Sequence, residues 1–183
     1  MDTVSYYPVE IAGIKRELRL FQIKPGLKIA ILNILGDTEL VEATAAALVQ
    51  KTSQLVYDVL VTAESKSIPL AYAFAVKSGK PYVVLRKDFK PYMGNALQAE
   101  TLSITTGKPQ TLFLDEKDLS LIKNKNVLIL DDVISTGSTL EGIKTIIGLA
   151  GGTIAGQAAI FTEGDQAEWS DIISLGHLPL FFE

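Results

Sequence analysis

The sequence has no cysteine and a single histidine, His177, among its 183 residues. It therefore has no means of forming a disulfide, a cysteine or histidine zinc cluster, an iron–sulfur site or a cysteine nucleophile. The lack of cysteine fits a reducing compartment, and no basic start followed by an apolar run marks a secretory signal. The longest apolar stretch, around residues 29–35, is interrupted by Asn33 and is too short to span a bilayer. We expect a soluble, cytoplasmic protein with no membrane partner.

Basic side chains are also few, because 17 Lys and Arg face 21 Asp and Glu and give a net charge of −4. This balance argues against binding nucleic acid through a basic surface. The composition, 48% hydrophobic and 21% charged, is near the globular average and excludes wholesale disorder. At about 100–200 residues per domain, the length predicts one domain over residues 1–183.

Short apolar runs alternate with helical patterns along most of the chain. The runs are typical of strands buried on both faces and lie at residues 57–62, 81–86, 126–131 and 154–162. The predicted helices begin at Asp37 or Thr38, at residues 67–69 and at Ser138, and the last two end near glycines. This alternation predicts an α/β fold with a mostly parallel central sheet flanked by helices.

Two regions depart from the alternation. Residues 5–33 are predicted to be extended, with a turn at residues 24–26. Residues 87–110 show little periodicity and contain three Lys, two Gly and two Pro. An irregular segment of this length inside a compact domain is usually functional or mobile.

The most informative segment is VLILDDVISTGSTL, residues 127–140, in which a buried strand ends at Asp131 and Asp132. Ligands of open α/β sheets bind at the carboxyl ends of strands. The free N–H groups at the start of the following helix favour a phosphate dianion. A polar connection with a serine cap is the simpler interpretation, but it leaves two adjacent carboxylates without a cation or hydroxyl donor. The turn itself consists of Ser135, Thr136, Gly137, Ser138 and Thr139.

This segment resembles the phosphoribosyl diphosphate (PRPP) signature of type I phosphoribosyltransferases, in which two acids precede a small-Thr-Gly-small-Thr turn. The resemblance implies the type I phosphoribosyltransferase fold. It also implies that the turn at residues 135–139 holds the 5′-phosphate, while Asp131 and Asp132 lie along the ribose 2′- and 3′-hydroxyls. Mg²⁺ would be bound through PRPP near the two acids rather than directly by the protein.

A second stretch, TAESKS at residues 62–67, is similar to the pyrophosphate loop of adenine phosphoribosyltransferases, an acid-Ser-Arg-Gly sequence between a strand and a helix. The resemblance assigns Glu64, Ser65, Lys66 and Ser67 to pyrophosphate and implies a non-proline cis peptide at Glu64–Ser65. The chain departs from the pattern with lysine for arginine and serine for glycine. Lysine meets pyrophosphate as a point charge without a bidentate fork. A capped helix start is the alternative interpretation.

Residues 86–91, RKDFKP, look like the family's Arg-Lys-x-x-Lys-x-Pro stretch. This likeness implies that Arg86, Lys87 and Lys90 supply cations to pyrophosphate, and a solvated basic loop is the alternative. Residues 92–108 would match the mobile loop that closes over the site and excludes water. The residues assigned to catalysis are Asp131, Asp132, Lys66 and Lys87.

The resemblance implies a purine phosphoribosyltransferase of the salvage type, which joins a base to PRPP and releases pyrophosphate. Adenine is the favoured base, although the adenine enzymes carry Glu-Tyr-Gly where this chain has Thr105-Thr106-Gly107. The alternatives are a xanthine or guanine enzyme and a non-catalytic PRPP or nucleotide sensor. Purine-operon repressors share the motif and add an N-terminal DNA-binding domain, for which we expect no room before the first sheet elements.

The ends of the chain carry several aromatic residues, at positions 6–13 and 176–182. We expect them to build a hood, about residues 1–33 together with the C-terminal segment, in which aromatic rings either stack on a purine or pack in the core. Trp169 is interpreted as a packing residue and His177 as an ordinary hydrogen-bonded histidine. The family resemblance also implies a homodimer.

Overall fold

A computed structural model describes residues 5–102 and 109–182 of the chain. The strands are β1 (Tyr6–Ile11), β2 (Ile14–Lys24), β3 (Leu27–Ile31), β4 (Val59–Ala63), β5 (Tyr82–Leu85), β6 (Leu97–Leu102), β7 (Pro109–Leu114), β8 (Asn126–Ile134), β9 (Thr153–Glu163), β10 (Ile173–Leu178) and β11 (Phe181–Phe182). The α-helices are α1 (Thr38–Lys51), α2 (Ile68–Ser78), α3 (Leu119–Ile122) and α4 (Ser138–Leu149).

The central sheet has five parallel strands in the order β10-β9-β8-β4-β5. The four strands predicted from apolar runs are all present, and every residue of β4 is buried. Helices α1 and α2 pack on one face of the sheet and α4 on the other, each over its own hydrophobic cluster. The predicted α/β architecture is confirmed, and it brings the carboxyl ends of β4, β8 and β9 to one edge.

The predicted helix ends also agree with the structure. Asp37 is the N-cap of α1 and accepts a hydrogen bond from the Leu40 amide at 3.1 Å. Gly79 ends α2 with a left-handed φ of 67°, which glycine adopts without a side-chain penalty. No helix in the described ranges is long and apolar enough to cross a membrane.

The N-terminal segment forms a separate four-stranded sheet in the order β1-β2-β3-β11. The predicted turn at residues 24–26 is present, with Gly26 at a φ of 76°. Strand β11 at the other end of the chain pairs with β3, and the rings of Tyr7 and Phe181 meet edge to face at 5.1 Å. The two ends therefore build one element, which we call the hood sheet. Arg16 of this sheet joins it to α1 through the Asp37 carboxylate, at 2.7 Å.

The expectation of an irregular segment at residues 87–110 is wrong for part of its length. Residues 91–93 form a 3₁₀ turn, and β6 pairs with β7 in an antiparallel hairpin. Ala99 and Thr101 are buried, and Thr101 packs so closely on α4 that a Cβ at Gly142 would lie 2.2 Å from its methyl carbon. This two-residue alternation is short and interleaved with polar residues, which is why the pattern gave no strand. Residues 103–108 of the predicted loop, which include Thr105, lie outside the described residues.

Candidate active site

A cleft of about 200 Å³ opens at the carboxyl ends of β4 and β8. It brings together most of the residues predicted for the two ends of PRPP, although they are far apart in sequence. Its lining consists of Ala63, Glu64, Ser65, Lys66, Ser67, Lys87, Asp131, Asp132, Val133 and Thr139. The other predicted site residues do not line this cleft; they are Arg86, Lys90, Ser135, Thr136, Gly137 and Ser138.

The two acids share one hydroxyl donor. Ser67 Oγ donates to Asp131 Oδ1 at 2.6 Å and lies 3.1 Å from Asp132 Oδ1. The Asp132 amide points at Asp131 Oδ1 at 2.9 Å. Burial and the neighbouring Asp132 carboxylate raise the pKa of Asp131 to about 7, against the lowering effect of the Ser67 hydroxyl. The pair therefore forms a polar, hydroxyl-accepting floor to the cleft.

The Ser67 side chain does not cap α2. It makes no capping hydrogen bond, although the residue stands at the N-cap position. Because its hydroxyl is hydrogen-bonded to the acids on the neighbouring strand β8, the interpretation of residues 62–67 as a plain capped helix start does not hold. The cis peptide predicted at Glu64–Ser65 is present.

Lys66 faces the acids. Its Nζ lies 3.1 Å from Asp132 Oδ2 and donates to the Leu32 carbonyl at 3.3 Å. The Asp132 side chain is 8% exposed, so Lys66 supplies the cation that this buried carboxylate needs. The lysine side chain remains 45% exposed and lines the cleft. It also links the end of the hood sheet to the floor of the site.

Glu64 organises the basic stretch that follows β5. Its carboxylate accepts hydrogen bonds from Arg86 Nε and from the Lys87 amide. Burial opposes ionisation of Glu64, but these two donors outweigh it and hold the pKa of the carboxyl below its usual value. The Lys87 residue is thereby brought to the cleft, while Arg86 is paired with Glu64 and Lys90 lies outside the lining. In this structure Glu64 therefore binds the basic stretch itself, through the Arg86 side chain and the Lys87 amide.

The turn before α4 contains a glycine in the left-handed region. Gly137 has a φ of 72°, and Thr139 in the first turn of α4 reaches the cleft. A Cβ at Gly137 would lie 3.0 Å from Trp169 Cη2, so the indole ring covers the glycine from outside. Trp169 also packs against the α4 cluster, in agreement with its interpretation as a packing residue. The free N–H groups at the start of α4, next to this glycine, are suited to binding a phosphate group.

One acid at the same edge of the sheet was missed by the sequence reasoning. Glu163 ends β9, is only 6% exposed, and has a pKa raised to about 6 by burial, with Lys66 opposing the shift. The signal was available, because Glu163 ends an apolar run just as Asp131 does. His177 beside it behaves as expected, since Nδ1 pairs with Thr162 Oγ1 and Nε2 with the Gly164 carbonyl.

Comparison with known proteins finds phosphoribosyltransferases and proteins related to them. A family model described as a phosphoribosyl transferase domain matches residues 32–173. The purine biosynthesis transcriptional repressor PurR of Bacillus subtilis (strain 168) is 30% identical over 135 residues, or 74% of this chain and 47% of PurR. A hypoxanthine/guanine phosphoribosyltransferase of Methanosarcina barkeri is 37% identical over 116 residues, or 60% of this chain and 56% of that protein. The chain spans about half the length of these two relatives.

A solved structure shares the fold over most of its length. The adenine phosphoribosyltransferase from Thermoanaerobacter pseudethanolicus superposes with a TM-score of 0.73 at 20% identity, covering 87% of this chain and 95% of that one. At this identity the likeness establishes the architecture, and the chemistry has to be argued from the site.

Proposed function

Because the chain belongs to the phosphoribosyl transferase family, whose domain model matches residues 32–173, we propose that it joins a purine base to PRPP. The products are a nucleoside 5′-monophosphate and pyrophosphate, and adenine is the favoured base. The fold is the predicted type I phosphoribosyltransferase fold, a parallel sheet flanked by helices. The substrates and the reaction are the proposal.

The observation that carries the proposal is the pair Asp131 and Asp132 beside the turn at residues 135–139. Two carboxylates that share a serine hydroxyl, one of them also paired with Lys66, are acceptors for vicinal hydroxyls such as those of ribose. A helix start one turn further along the chain suits the 5′-phosphate of the same sugar.

The leaving pyrophosphate would lie over residues 64–67, on the β4 side of the acids. Lys87 and Lys66 are the cations that line this part of the cleft. As the bond to C1 of the ribose breaks, positive charge develops on the sugar and negative charge on the pyrophosphate, so fixed carboxylates and lysines stabilise the two parts separately. Lys66, held between Asp132 and the Leu32 carbonyl, pairs with the acid and helps to hold the floor in place.

The residues fit a magnesium ion carried by PRPP. Asp132 Oδ2, which is paired with the Lys66 ammonium at 3.1 Å, makes no hydrogen bond, and Asp131 lines the same cleft, so carboxylate oxygens of the type that Mg²⁺ prefers are at hand. Within the described ranges no group of three or more His, Cys, Asp or Glu side chains is placed to hold a metal ion. When bound, the ion would neutralise the pyrophosphate.

A sensor that binds PRPP or a nucleotide without turnover is the second candidate. It is favoured by the 30% identity to PurR of Bacillus subtilis, named as a transcriptional repressor. An enzyme for 6-oxopurines is favoured in the same way by the hypoxanthine/guanine relative. Initial rates with PRPP, Mg²⁺ and each of adenine, hypoxanthine, guanine and xanthine separate these candidates. Turnover with a purine supports the enzyme, and binding of PRPP without turnover supports the sensor.

We also propose that the protein acts in the cytoplasm as a homodimer. The absence of cysteine supports the first point. Tyr72 and Val76, one turn apart on α2 and 59% and 63% exposed, support the second, because such an apolar face gains from being covered. Light scattering coupled to gel filtration tests the dimer, and a monomer at assay concentration would contradict it.

A further inference from the structure

Glu163 carries an unpaired carboxylate at the edge of the sheet where the site lies. The side chain makes no hydrogen bond or ion pair in the part of the chain that the structure describes. Fully buried side-chain atoms that lack a hydrogen bond are found on Thr62, Asp132 and Gln157. The Glu163 oxygens are not among them, so they keep contact with solvent. A residue that is only 6% exposed thus presents an acceptor to the outside. Leaving such a group unpaired costs free energy unless a ligand completes it.

The backbone around Glu163 is fixed on three sides. Trp169 Nε1 donates to the Glu163 carbonyl at 2.8 Å, while the same indole ring covers Gly137 of the phosphate turn. His177 joins the residues on either side, because its ring nitrogens pair with Thr162 Oγ1 at 2.9 Å and with the Gly164 carbonyl at 3.0 Å. The backbone of Glu163 is therefore held at a set position relative to the phosphate turn, which limits where its carboxylate can reach.

The strand order shows which substrate this position serves. Strands β4 and β9 flank β8 on opposite sides, so Glu163 and the loop at residues 64–67 lie on opposite sides of the two acids. In an in-line displacement at the ribose, the incoming group approaches from the side opposite to the leaving group. If pyrophosphate lies over the β4 loop, the base lies toward β9. Neighbouring strands are about 4.8 Å apart. Asp131 pairs with Ala159, so Glu163 stands four residues further along β9, beyond the acids at the carboxyl end of the sheet and on the side where the base would lie.

We propose that the Glu163 carboxylate accepts a hydrogen bond from the exocyclic amino group of the base and selects 6-aminopurines over 6-oxopurines. This inference rests on the proposed function. A carboxylate accepts from the amino N–H of adenine, whereas the carbonyl oxygen of hypoxanthine brings two acceptors together. Lys66, which lies close enough to affect the ionisation of Glu163, helps to keep it in the accepting form.

The test is the isosteric change Glu163→Gln, with Glu168→Gln as the matched control. Glu168 is exposed, lies in the turn that ends at Trp169, and is not part of the site. A glutamine amide can donate to a carbonyl oxygen and no longer repels it. We expect the ratio of kcat/KM for adenine to that for hypoxanthine to fall by about 10-fold or more in Glu163→Gln. The control should keep the wild-type ratio, and the KM for PRPP should stay unchanged in both variants.

The same ratio is measured a second way, from the affinities of adenosine and inosine 5′-monophosphate in calorimetry, which needs no turnover. An unchanged ratio in folded Glu163→Gln overturns the inference, as does an equal loss with both bases together with a raised KM for PRPP, the signature of a structural role through Lys66. A wild-type preference for hypoxanthine also overturns it and leaves a phosphoribosyltransferase standing. If neither nucleotide binds the wild-type protein, the proposed function falls, and this inference falls with it.

Discussion

Replacing Asp131 with asparagine should make the stability of the protein less dependent on pH. The native pKa of Asp131 is raised from 3.8 to about 7, because burial and Asp132 disfavour its charged form. Between these two values the native state holds a proton that the unfolded state has lost. Raising the pH through this range therefore destabilises the wild-type fold, since the slope of the unfolding free energy follows the difference in bound protons.

The size of this effect follows from the shift. One pKa unit corresponds to about 1.4 kcal/mol, so the rise from 3.8 to about 7 corresponds to a differential of roughly 4 kcal/mol. Asparagine keeps the shape and does not titrate. The unfolding free energy of Asp131→Asn relative to wild type should therefore rise by this amount from about pH 4 to pH 8.

Urea denaturation at a series of pH values measures the difference directly. Glu168→Gln, which removes an exposed carboxylate, serves as the control and should run parallel to wild type. Parallel curves for Asp131→Asn and wild type would refute the reasoning, because they would mean that Asp131 is ionised normally in the folded protein. A difference that falls with rising pH would refute it as well.

Three further changes test other contacts of the site. Gly137→Ala should lower the stability by more than Gly79→Ala. Both glycines have a positive φ, so each substitution costs about 1–2 kcal/mol, but only the alanine at position 137 also displaces Trp169. Equal losses of stability in thermal melting would contradict the contact between Gly137 and Trp169. Lys66→Met should weaken PRPP binding and leave Asp132 without its cation, and calorimetry with unchanged affinity would contradict this. Ser67→Ala should raise the pKa of Asp131 further, because the hydroxyl stabilises the charged form. The fall of the unfolding free energy with rising pH should therefore extend to higher pH than in the wild type.

Much of the fold could be predicted from local patterns. Strands β4, β5, β8 and β9 are short apolar runs, and such runs are typical of a parallel sheet covered on both faces, in which β4, β8 and β9 are inner strands and β5 lies at the edge. The helix ends followed from Asp37 and Gly79, whose preferences are local. By contrast, the pairing of β11 with β3 joins residues about 150 positions apart, and no local pattern specifies such a pair.

Part of the cleft lining, such as Lys66, Lys87 and the two acids, was among the predicted site residues, whereas the contacts within the cleft were not predicted. The motif assigned Ser67 and Lys66 to pyrophosphate, but their side chains turn to the acids because buried carboxylates need a donor and a cation more than an exposed loop does. Glu64 likewise binds Arg86, the nearest cation across the neighbouring strand. The role inferred for Glu163 depends on Trp169 and His177, which only the fold brings to it.

The most direct test of the central claim is the binding of PRPP in the presence of Mg²⁺ to wild type and to the double variant Asp131→Asn/Asp132→Asn, measured by calorimetry with thermal melting as the check on folding. If the two carboxylates hold the ribose hydroxyls, the wild-type protein binds PRPP and the folded double variant loses affinity by about 10-fold or more. The same affinity in a folded double variant would contradict the account, because PRPP would then bind without the acids at the end of β8.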